Sequence, residues 1–245
     1  CMNAMIFAAG LGTRLKPYTD HCPKALVEVA GKPMIAHQLL KLRDAGFQRV
    51  VINVHHFAEQ IIDYVNANGG FGLDVAFSDE RGQLLDTGGG IKKAASFFTD
   101  GEPILIHNVD ILSNMDLKGL YTYHQTSGND ATLLVSSRKT ARYLLFNHEN
   151  RLCGWINKDT LQTKPENFVY KPEEQKEYAF SGIHVISPTL FNYMDDDWNG
   201  KFSIMDFYLQ NCSKARLGGY TTDNLQIIDI GKPETLEKAE AFINA

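Results

Sequence analysis

A glycine-rich segment near the N-terminus contains residue types that can bind an anion. It follows a short apolar run over residues 4–9 and contains Ala8, Ala9, Gly10, Leu11, Gly12, Thr13 and Arg14. Glycines at the point where a strand opens into a loop let backbone N–H groups approach phosphate oxygens, because no Cβ atom is in the way. The spacing matches neither the P-loop nor the dinucleotide-binding fingerprint, so the glycines alone favour a tight turn between a strand and a helix.

Two cations beside this segment shift the interpretation towards phosphate binding. The guanidinium of Arg14 can hold two phosphate oxygens at once, and the ammonium of Lys24 is a compact charge that can follow charge developing on a transferring phosphoryl group. Either cation alone would be an ordinary solvated surface charge. Together with the glycine loop, they predict a phosphate clamp.

Two aspartates further along the chain could complete such a site. Asp110 ends an apolar run over residues 103–109, and a carboxylate at the carboxyl end of a strand in an open α/β sheet faces the binding crevice. Asp229 lies two residues before Gly231, at the end of another apolar run. Taken singly, Asp110 would also suit a helix cap and Asp229 a turn.

The order of these residues resembles the signature of the sugar-1-phosphate nucleotidyltransferases. The matching positions are Ala8, Ala9, Gly10, Gly12, Thr13, Arg14, Leu15, Pro17 and Thr19, followed by Pro23, Lys24 and Leu26, and then by Gly31, Lys32 and Pro33. The match is specific because these fifteen positions occur in a fixed order. Three later segments also match, so the resemblance covers almost the whole chain apart from residues 138–178.

The resemblance implies how the nucleotide would be bound. The glycine loop and Arg14 would hold a nucleoside triphosphate, and Lys24 would touch its phosphates at the reacting centre. Residues 80–91 would contact the nucleobase and ribose through backbone groups near Thr87 and Gly88. Without the resemblance, the three consecutive glycines of this segment would be a flexible turn that leads into a helix.

The resemblance also implies a sugar site and a metal site. Asn108 and Gly182 would lie against the sugar phosphate, although Gly182 would equally suit a bulge in a core strand. Asp110 and Asp229 would hold Mg²⁺ between them and the triphosphate, because this hard cation is usually bound by carboxylates and phosphate oxygens.

The chain departs from the family pattern at three points. Val109 precedes Asp110 where the family usually has glycine, and Lys232 stands where threonine is usual. The family's second lysine, which meets the sugar phosphate, has no clean counterpart. Its candidates are Arg142, Lys158 and Lys171.

Alternating strands and helices must position these residues. Apolar, β-branched runs predict strands at 4–9, 49–54, 73–77, 103–109, 131–137, 180–186 and 225–230. Helical spacing of apolar residues predicts helices at 35–45, 57–65, 90–98, 117–125, 188–193, 204–212 and 233–243. This alternation predicts an α/β fold, a Rossmann-like, mostly parallel sheet with helices on both faces.

Residues 138–178 interrupt the alternation. They are polar, with short strand-like pieces at 143–146 and 152–156 and a charged stretch at 164–177 that has no periodicity. We expect an excursion from the sheet that covers a substrate or forms a partly mobile lid. No repeat or linker is evident, so we expect one domain over residues 1–245, without the C-terminal left-handed β-helix of longer relatives.

Composition and net charge indicate which classes of partner the protein lacks. Lys and Arg total 24 against 29 Asp and Glu, a formal net charge of −5 without a basic stripe, so we expect no nucleic acid partner. No apolar run approaches the roughly 20 residues of a membrane span, and the N-terminus does not resemble a signal peptide. We therefore expect a cytoplasmic protein without a membrane partner.

The sequence thus predicts an enzyme that makes a nucleotide sugar and pyrophosphate from a nucleoside triphosphate and a sugar 1-phosphate, with Mg²⁺ as cofactor. The short chain and the segment at residues 84–90 most resemble family members that join UTP to N-acetylmuramate 1-phosphate. GTP with mannose 1-phosphate and CTP with phosphocholine are alternatives. A non-catalytic regulatory subunit that binds nucleotide sugars is a different class, which the joint presence of Lys24, Asp110 and Asp229 disfavours. The oligomeric state stays open.

Overall fold

Strands and helices alternate through the first half of the computed structural model, which describes all 245 residues. The strands are β1 (Asn3–Phe7), β2 (Glu28–Val29), β3 (Lys32–Pro33), β4 (Arg49–Val54), β5 (Asp74–Asp79), β6 (Ile104–Asn108), β7 (Ile111–Ser113), β8 (Ala131–Ser136), β9 (Arg142–Phe146), β10 (Leu152–Asn157), β11 (Thr163–Lys164), β12 (Lys176–Ile186), β13 (Leu217–Tyr220) and β14 (Ile227–Asp229). The helices are α1 (Met34–Asp44), α2 (Ala58–Ala67), α3 (Asp86–Ala95), α4 (Leu117–Ser127), α5 (Ile204–Asn211) and α6 (Leu236–Asn244). Short 3₁₀ helices lie at Thr13–Leu15, Lys24–Leu26, Gly69–Gly72, Pro188–Tyr193 and Pro233–Thr235.

The central sheet has a parallel core. Strand β1 lies between β4 and β6, and β5 pairs with the far side of β4, with all three pairings parallel. The long strand β12 runs antiparallel to both β6 and β8, and β13 pairs with β8 in parallel. The core strands are apolar along nearly their whole length because both faces of the sheet are covered. The predicted Rossmann-like fold, with its mostly parallel central sheet, is confirmed.

Two apolar clusters, one on each face, hold the helices to this sheet. One cluster joins the sheet to α1, α2, α4 and α6 through residues such as Leu39, Ile61 and Leu120. The other joins it to α3 and α5 through residues such as Ile91 and Phe207. Helices therefore cover both faces, as predicted. None of the helices combines the length and the apolarity that a membrane crossing requires.

Residues 138–178 are more regular than expected. Strands β9, β10 and β11 form an antiparallel extension, which is joined to the main sheet because the first residues of β12 pair with β9. The segment thus extends the sheet instead of leaving it. The expectation of an excursion arose because the polar turns between these short strands hide their apolar alternation.

Several element boundaries also differ from those predicted. Helix α3 begins at Asp86, four residues before the predicted start, and Pro188–Tyr193 is a 3₁₀ helix. The predicted strand at 225–230 is the shorter β14, which pairs with β7 in a separate two-stranded ribbon. Strand β13 was not predicted, since its two central glycines have low strand propensity.

Candidate active site

The glycine loop begins at the carboxyl end of β1; it requires glycine at position 12 and brings Gly10 close to Lys24. Gly12 has a φ of +66°, and the Thr19 hydroxyl donates a 2.7 Å hydrogen bond to its carbonyl oxygen. A Cβ atom at Gly12 would lie 2.9 Å from Thr19 Cγ2, and one at Gly10 would lie 3.0 Å from Lys24 Nζ. The loop therefore closes on Lys24, as a phosphate clamp requires.

Lys24 connects this loop to the first aspartate. It opens the 3₁₀ helix Lys24–Leu26 directly after Pro23, and only 17% of its side chain is exposed. Its ammonium donates to Asp110 Oδ2 at 3.3 Å. Because Gly10 lies on the other side of the same ammonium, Lys24 Nζ sits between the glycine loop and Asp110.

The ribbon formed by β7 and β14 brings the two aspartates together. Asp110 immediately precedes β7, Asp229 ends β14 opposite Ile111, and the N–H of Ile230 donates to the Asp110 carbonyl at 2.8 Å. The Arg14 guanidinium lies 3.4 Å from Asp229 Oδ2 and 3.8 Å from Asp110 Oδ2. We call Arg14, Lys24, Asp110 and Asp229 the charged cluster, since four separate segments supply its members.

Gly231 lies against three side chains of the charged cluster, which approach its backbone closely because it has no Cβ atom. A Cβ atom there would lie 2.7 Å from Asp110 Oδ2, 2.9 Å from Asp229 Oδ1 and 2.6 Å from Arg14 Nη2. Asp110 and Asp229 thus bring carboxylate oxygens, the donors that Mg²⁺ prefers, to the same side of Gly231. The chain offers no group of three or more His, Cys, Asp or Glu that could hold a metal. Phosphate oxygens or water would have to supply the remaining ligands.

The glycines of residues 88–90 lie inside α3, where they allow close packing. They do not form the flexible turn that would have been expected without the family resemblance. Gly88 lies against the Phe202 ring and Gly89 against the Gly200 carbonyl, so that neither position has space for a Cβ atom. At Gly90 a Cβ atom would lie 3.0 Å from the Phe7 ring and 3.1 Å from Glu80 Oε2. Each glycine therefore fits a different neighbour.

Hydrogen bonds fix the start of α3 to the segment before α5. The N–H groups of Gly88 and Gly89 donate to the Phe202 carbonyl at 2.8 and 3.2 Å, and the N–H of Ile204 donates to the Thr87 hydroxyl at 2.8 Å. The N–H of Gly88, expected to read a nucleobase, is thus buried and already paired. In this structure Gly88 shapes the site by packing, while Thr87 lines its wall.

A cavity of about 320 Å³ lies between the glycine loop and the start of α3. Its lining residues are Phe7, Ala9, Gly10, Asn53, Glu80, Leu84, Asp86, Thr87 and Lys201. Sequence reasoning did not single out Asn53 or Lys201. Asn53 offers a signal, because it is a polar residue within the apolar strand β4, whereas Lys201, in a loop, offers none. The cavity adjoins Lys24 through Gly10, so an occupant could reach both.

Asn108 and Gly182 meet on the other side of the sheet's carboxyl edge. Asn108 ends β6, two residues before Asp110, and Gly182 has a φ of +84° where the pairing of β12 with β8 shifts register. A Cβ atom at Gly182 would lie 2.7 Å from Asn108 Nδ2. The glycine therefore permits a close approach beside the charged cluster.

The three candidate cations for the sugar phosphate all lie in the antiparallel extension or the turn that follows it. Lys158 donates to Glu177 Oε1 at 2.9 Å, and Lys171 lies 3.8 Å from Glu174 Oε2. Arg142 begins β9 and is exposed. None of the three forms an ion pair with the charged cluster.

An open α/β sheet with a glycine loop after its first strand, facing two carboxylates, is typical of enzymes that bind nucleotide phosphates. The chain belongs to the nucleotidyl transferase family, whose model matches residues 3–245. This membership confirms the resemblance to sugar-1-phosphate nucleotidyltransferases, and the protein is an enzyme of that class.

Individual relatives agree with this assignment. The chain is 30% identical over 243 residues to N-acetylmuramate alpha-1-phosphate uridylyltransferase of Caulobacter vibrioides, which covers 97% of this chain and 95% of the relative. It is 30% identical over 197 residues to mannose-1-phosphate guanylyltransferase catalytic subunit beta of Drosophila pseudoobscura pseudoobscura, covering 79% of this chain but only 50% of that relative. The crystal structure of HddC from Yersinia pseudotuberculosis, complexed with GMP-PN, superposes with a TM-score of 0.75 at 25% identity, over 99% of this chain and 100% of HddC.

Proposed function

We propose that the enzyme transfers a uridylyl group from UTP to an amino-sugar 1-phosphate such as N-acetylmuramate 1-phosphate, releasing pyrophosphate. The observation that carries this proposal is the convergence of Arg14, Lys24, Asp110 and Asp229 at one end of a cavity. The choice of substrates is supported by the Caulobacter vibrioides uridylyltransferase, which matches over nearly the full length of both chains.

The arrangement suits an in-line displacement. A phosphate oxygen of the sugar 1-phosphate attacks the α-phosphorus, the new P–O bond forms, and the bond to the β-phosphate breaks so that its electron pair leaves with pyrophosphate. No covalent enzyme intermediate is required. The chain contributes positioning and charge, which are the main sources of catalysis for phosphoryl transfer.

Arg14 and Lys24 hold the triphosphate in this proposal. Without substrate, each cation is paired with a carboxylate at 3.3 to 3.8 Å. Phosphate oxygens offer stronger, two-pronged contacts to a guanidinium than these long ion pairs do. Arg14, whose side chain is 54% exposed, can therefore turn to the ligand, while Lys24 stays between Gly10 and Asp110.

Asp110 and Asp229 would hold Mg²⁺ against the triphosphate. When bound, Mg²⁺ neutralises charge on the phosphate oxygens and orients them for displacement. The absence of a Cβ atom at Gly231 lets the two carboxylates approach the same backbone segment, and the hydrogen bond from Ile230 to Asp110 keeps both residues in register.

The two substrates would occupy different parts of the sheet edge. The cavity lies over β5, β4 and β1, where the nucleoside would bind near Thr87, whereas Asn108 and Gly182 lie over β6 and β12, where the sugar would bind. The charged cluster lies between the two positions. This order brings the sugar phosphate to the α-phosphorus from the side opposite the base.

A second substrate pair is GTP with mannose 1-phosphate. It is supported by the Drosophila pseudoobscura pseudoobscura guanylyltransferase subunit, although the match spans only half of that protein. The same charged cluster would serve either pair, since the reacting phosphates are identical. The difference lies in the base cavity and the sugar position.

A panel of triphosphates crossed with sugar 1-phosphates tests the proposal. Pyrophosphate release is followed, and the mass of the nucleotide sugar identifies each product. We expect UTP with N-acetylmuramate 1-phosphate to give the highest kcat/KM. A higher value for GTP with mannose 1-phosphate would favour the second pair. Absence of pyrophosphate with every pair, combined with tight binding of a nucleotide sugar, would favour a regulatory subunit.

A further inference from the structure

A buried carboxylate without a cation lies at the wall of the base cavity. Glu80 directly follows β5, is 1% exposed and belongs to no ion pair. Its Oε2 accepts a 2.8 Å hydrogen bond from Asn53 Nδ2, and its Oε1 accepts a 2.9 Å hydrogen bond from the N–H of Leu85. A carboxylate is costly to bury unless its oxygens accept hydrogen bonds. The Asn53 amide and the Leu85 N–H therefore stabilise the buried position of Glu80.

Asn53 continues this chain of hydrogen bonds to the glycine loop. Its Oδ1 accepts a 2.7 Å hydrogen bond from the N–H of Ala8, and Asn53 itself is fully buried. The sequence of bonds runs from Ala8 through Asn53 and Glu80 to Leu85. We call it the buried relay. It joins the loop that would hold the triphosphate to the segment that would hold the nucleoside.

The surroundings of Glu80 prevent it from leaving the buried relay. Its N–H donates to the Val54 carbonyl at 2.8 Å, and His55 Nδ1 donates to its carbonyl at 2.7 Å. A Cβ atom on Gly90 would lie 3.1 Å from Glu80 Oε2. Gly90 therefore leaves just the space that the carboxylate occupies.

We propose that Asn53 and Glu80 are positioning residues that set the separation between the two walls of the base cavity. The inference rests on the proposed function, because it takes this cavity as the nucleoside site. Buried hydrogen bonds are strong in a low dielectric, so the buried relay keeps the cavity formed before the nucleotide arrives. A preformed site binds more tightly because less order has to be imposed on binding.

The polarity of the buried relay makes the inference testable. The two ends of the relay, the N–H groups of Ala8 and Leu85, are both donors, so each of the two side chains uses one oxygen to accept from its end. The hydrogen bond between the two side chains then needs one donor and one acceptor. In the wild type that donor is Asn53 Nδ2. E80Q adds a second internal donor without a partner, and N53D removes the only donor and places two carboxylates together. The exchanged pair N53D/E80Q reverses the middle hydrogen bond and satisfies every donor again.

A control with the same amide-to-carboxylate hydrogen bond, but with an exposed carboxylate partner, lies at the opposite end of β1. Asn3 begins β1, is fully buried, and donates from Nδ2 to Asp100 Oδ1 at 2.9 Å. N3D therefore also places two carboxylates together, but far from the base cavity. Its effect on folding measures the cost of such a change without any effect on the nucleotide site.

The experiment measures binding of UTP and of GTP by calorimetry, the KM for the triphosphate, kcat and thermal unfolding for wild type, E80Q, N53D, N53D/E80Q and N3D. We expect each single variant of the relay to weaken binding about tenfold to a hundredfold, the equivalent of one buried unpaired group. KM rises with it, while kcat stays within about threefold. N53D/E80Q recovers affinity to within about threefold of wild type. N3D lowers the unfolding temperature but leaves affinity unchanged.

Two results would overturn the inference. If N53D/E80Q binds as weakly as E80Q, the charge at position 80 contacts the ligand directly and the relay is not its role. If the single variants lose thermal stability but keep wild-type affinity and KM, the relay is merely structural. Should N53D fail to fold, E80Q and N53D/E80Q alone carry the comparison. Failure of the wild type to bind any triphosphate contradicts the proposed function itself, and the wild-type titration separates that outcome from failure of the relay.

Discussion

The two ends of the cleft are built on opposite principles. At the phosphate end, the side chains of Arg14 and Asp229 are 54% and 39% exposed, and the charges meet at 3.3 to 3.8 Å. At the base end, Asn53 and Glu80 are at most 1% exposed and their hydrogen bonds measure 2.7 to 2.9 Å. The phosphate end thus holds charged side chains joined by long ion pairs, whereas the base end holds buried side chains joined by short hydrogen bonds.

This difference indicates which end of the cleft can rearrange when a ligand binds. The Arg14–Asp229 pair is exposed, and exposed ion pairs are worth about 0–1 kcal/mol, so Arg14 can exchange its carboxylate partner for phosphate oxygens at little cost. The base end cannot rearrange without losing buried hydrogen bonds. In the proposed function, chemistry therefore belongs to the charged end of the cleft and nucleoside recognition to the buried end.

Lys24→Ala should produce the largest effect, because it removes the best-buried cation of the phosphate end. We expect turnover to fall about 10²–10³-fold, the usual loss for one group that stabilises developing charge. Affinity for the triphosphate should fall much less, since the charge matters most in the transition state. Steady-state kinetics and calorimetry measure both quantities, with Lys118→Ala at an exposed position of α4 as control. Equal losses in turnover and affinity would show that Lys24 only binds substrate.

Arg14→Lys should have the next largest effect at the same end. A lysine keeps the charge but cannot hold two oxygens at once. We expect kcat/KM to fall about tenfold to a hundredfold, which corresponds to the loss of one charge-assisted hydrogen bond. The same assay with Arg14→Ala sets the scale. If the lysine variant were fully active, Arg14 would not belong to the clamp.

Gly88→Ala disrupts the base end by overpacking. The new methyl group would overlap the Phe202 ring, and overpacking of this kind usually costs about 1–3 kcal/mol. We expect a lower unfolding temperature and a higher KM for the triphosphate, with kcat nearly unchanged. Gly82→Ala, in open space on the neighbouring loop, is the matched control. A variant with wild-type KM would mean that the start of α3 does not shape the nucleotide site.

Folding stability should also decrease in acid, because three histidines are buried in the interior. Burial lowers the pKa of His107 and of His124 to about 4 and that of His184 to about 3, from an ordinary value of 6.5. Between pH 6.5 and about 4 the unfolded chain binds more protons than the folded chain. Folding stability is therefore complete above pH 6.5 and falls as the pH drops through this window.

Each buried histidine should contribute a slope of about 1.4 kcal/mol per pH unit in the lower part of that window. Chemical denaturation at pH 7, 6 and 5 measures the slope. His124→Gln, at a residue that hydrogen-bonds Thr132 and Ser187 far from the cleft, should reduce the slope by about one such step. An unchanged slope in this variant would show that His124 does not titrate in the unfolding equilibrium.

Local sequence signals predicted the parallel core well. Strand β4 occupies the predicted range, because a continuous β-branched run can only be buried between helical layers. Strand β13 and the first turn of α3 were missed, and both contain consecutive glycines. Gly218 packs against Asn129 and Gly88 against Phe202. These glycines take regular structure only because of distant partners, which no local pattern contains.

The same contrast holds for the functional site: the residues of the charged cluster were predictable from the sequence, whereas the buried hydrogen bonds of the base end were not. Arg14, Lys24, Asp110 and Asp229 were selected together from the sequence, because their types and order match a known signature, and the structure does bring them together. Asn53 was missed because its partners, Ala8 and Glu80, directly follow two other strands, β1 and β5, that are distant in the sequence. Backbone groups near Thr87 and Gly88 were predicted to contact the nucleobase, and only the fold reveals that the Phe202 carbonyl accepts a hydrogen bond from the N–H of Gly88.

The central claim is that Asp110 and Asp229 act together on one cation at the phosphate end of the cleft. Asp110→Asn, Asp229→Asn and the double variant test it through Mg²⁺-dependent turnover, Mn²⁺ binding by electron paramagnetic resonance, and thermal unfolding. We expect similar losses from the two single variants, little further loss in the double variant, and partial rescue of each single variant by raised Mg²⁺, because residues that act as a unit are not additive. Mn²⁺ affinity should fall in parallel. Additive losses in turnover would contradict the claim that the two aspartates share one cation. So would a stability loss of about 1 kcal/mol for each single variant with unchanged activity per folded molecule, which is the result expected of a helix cap and a turn.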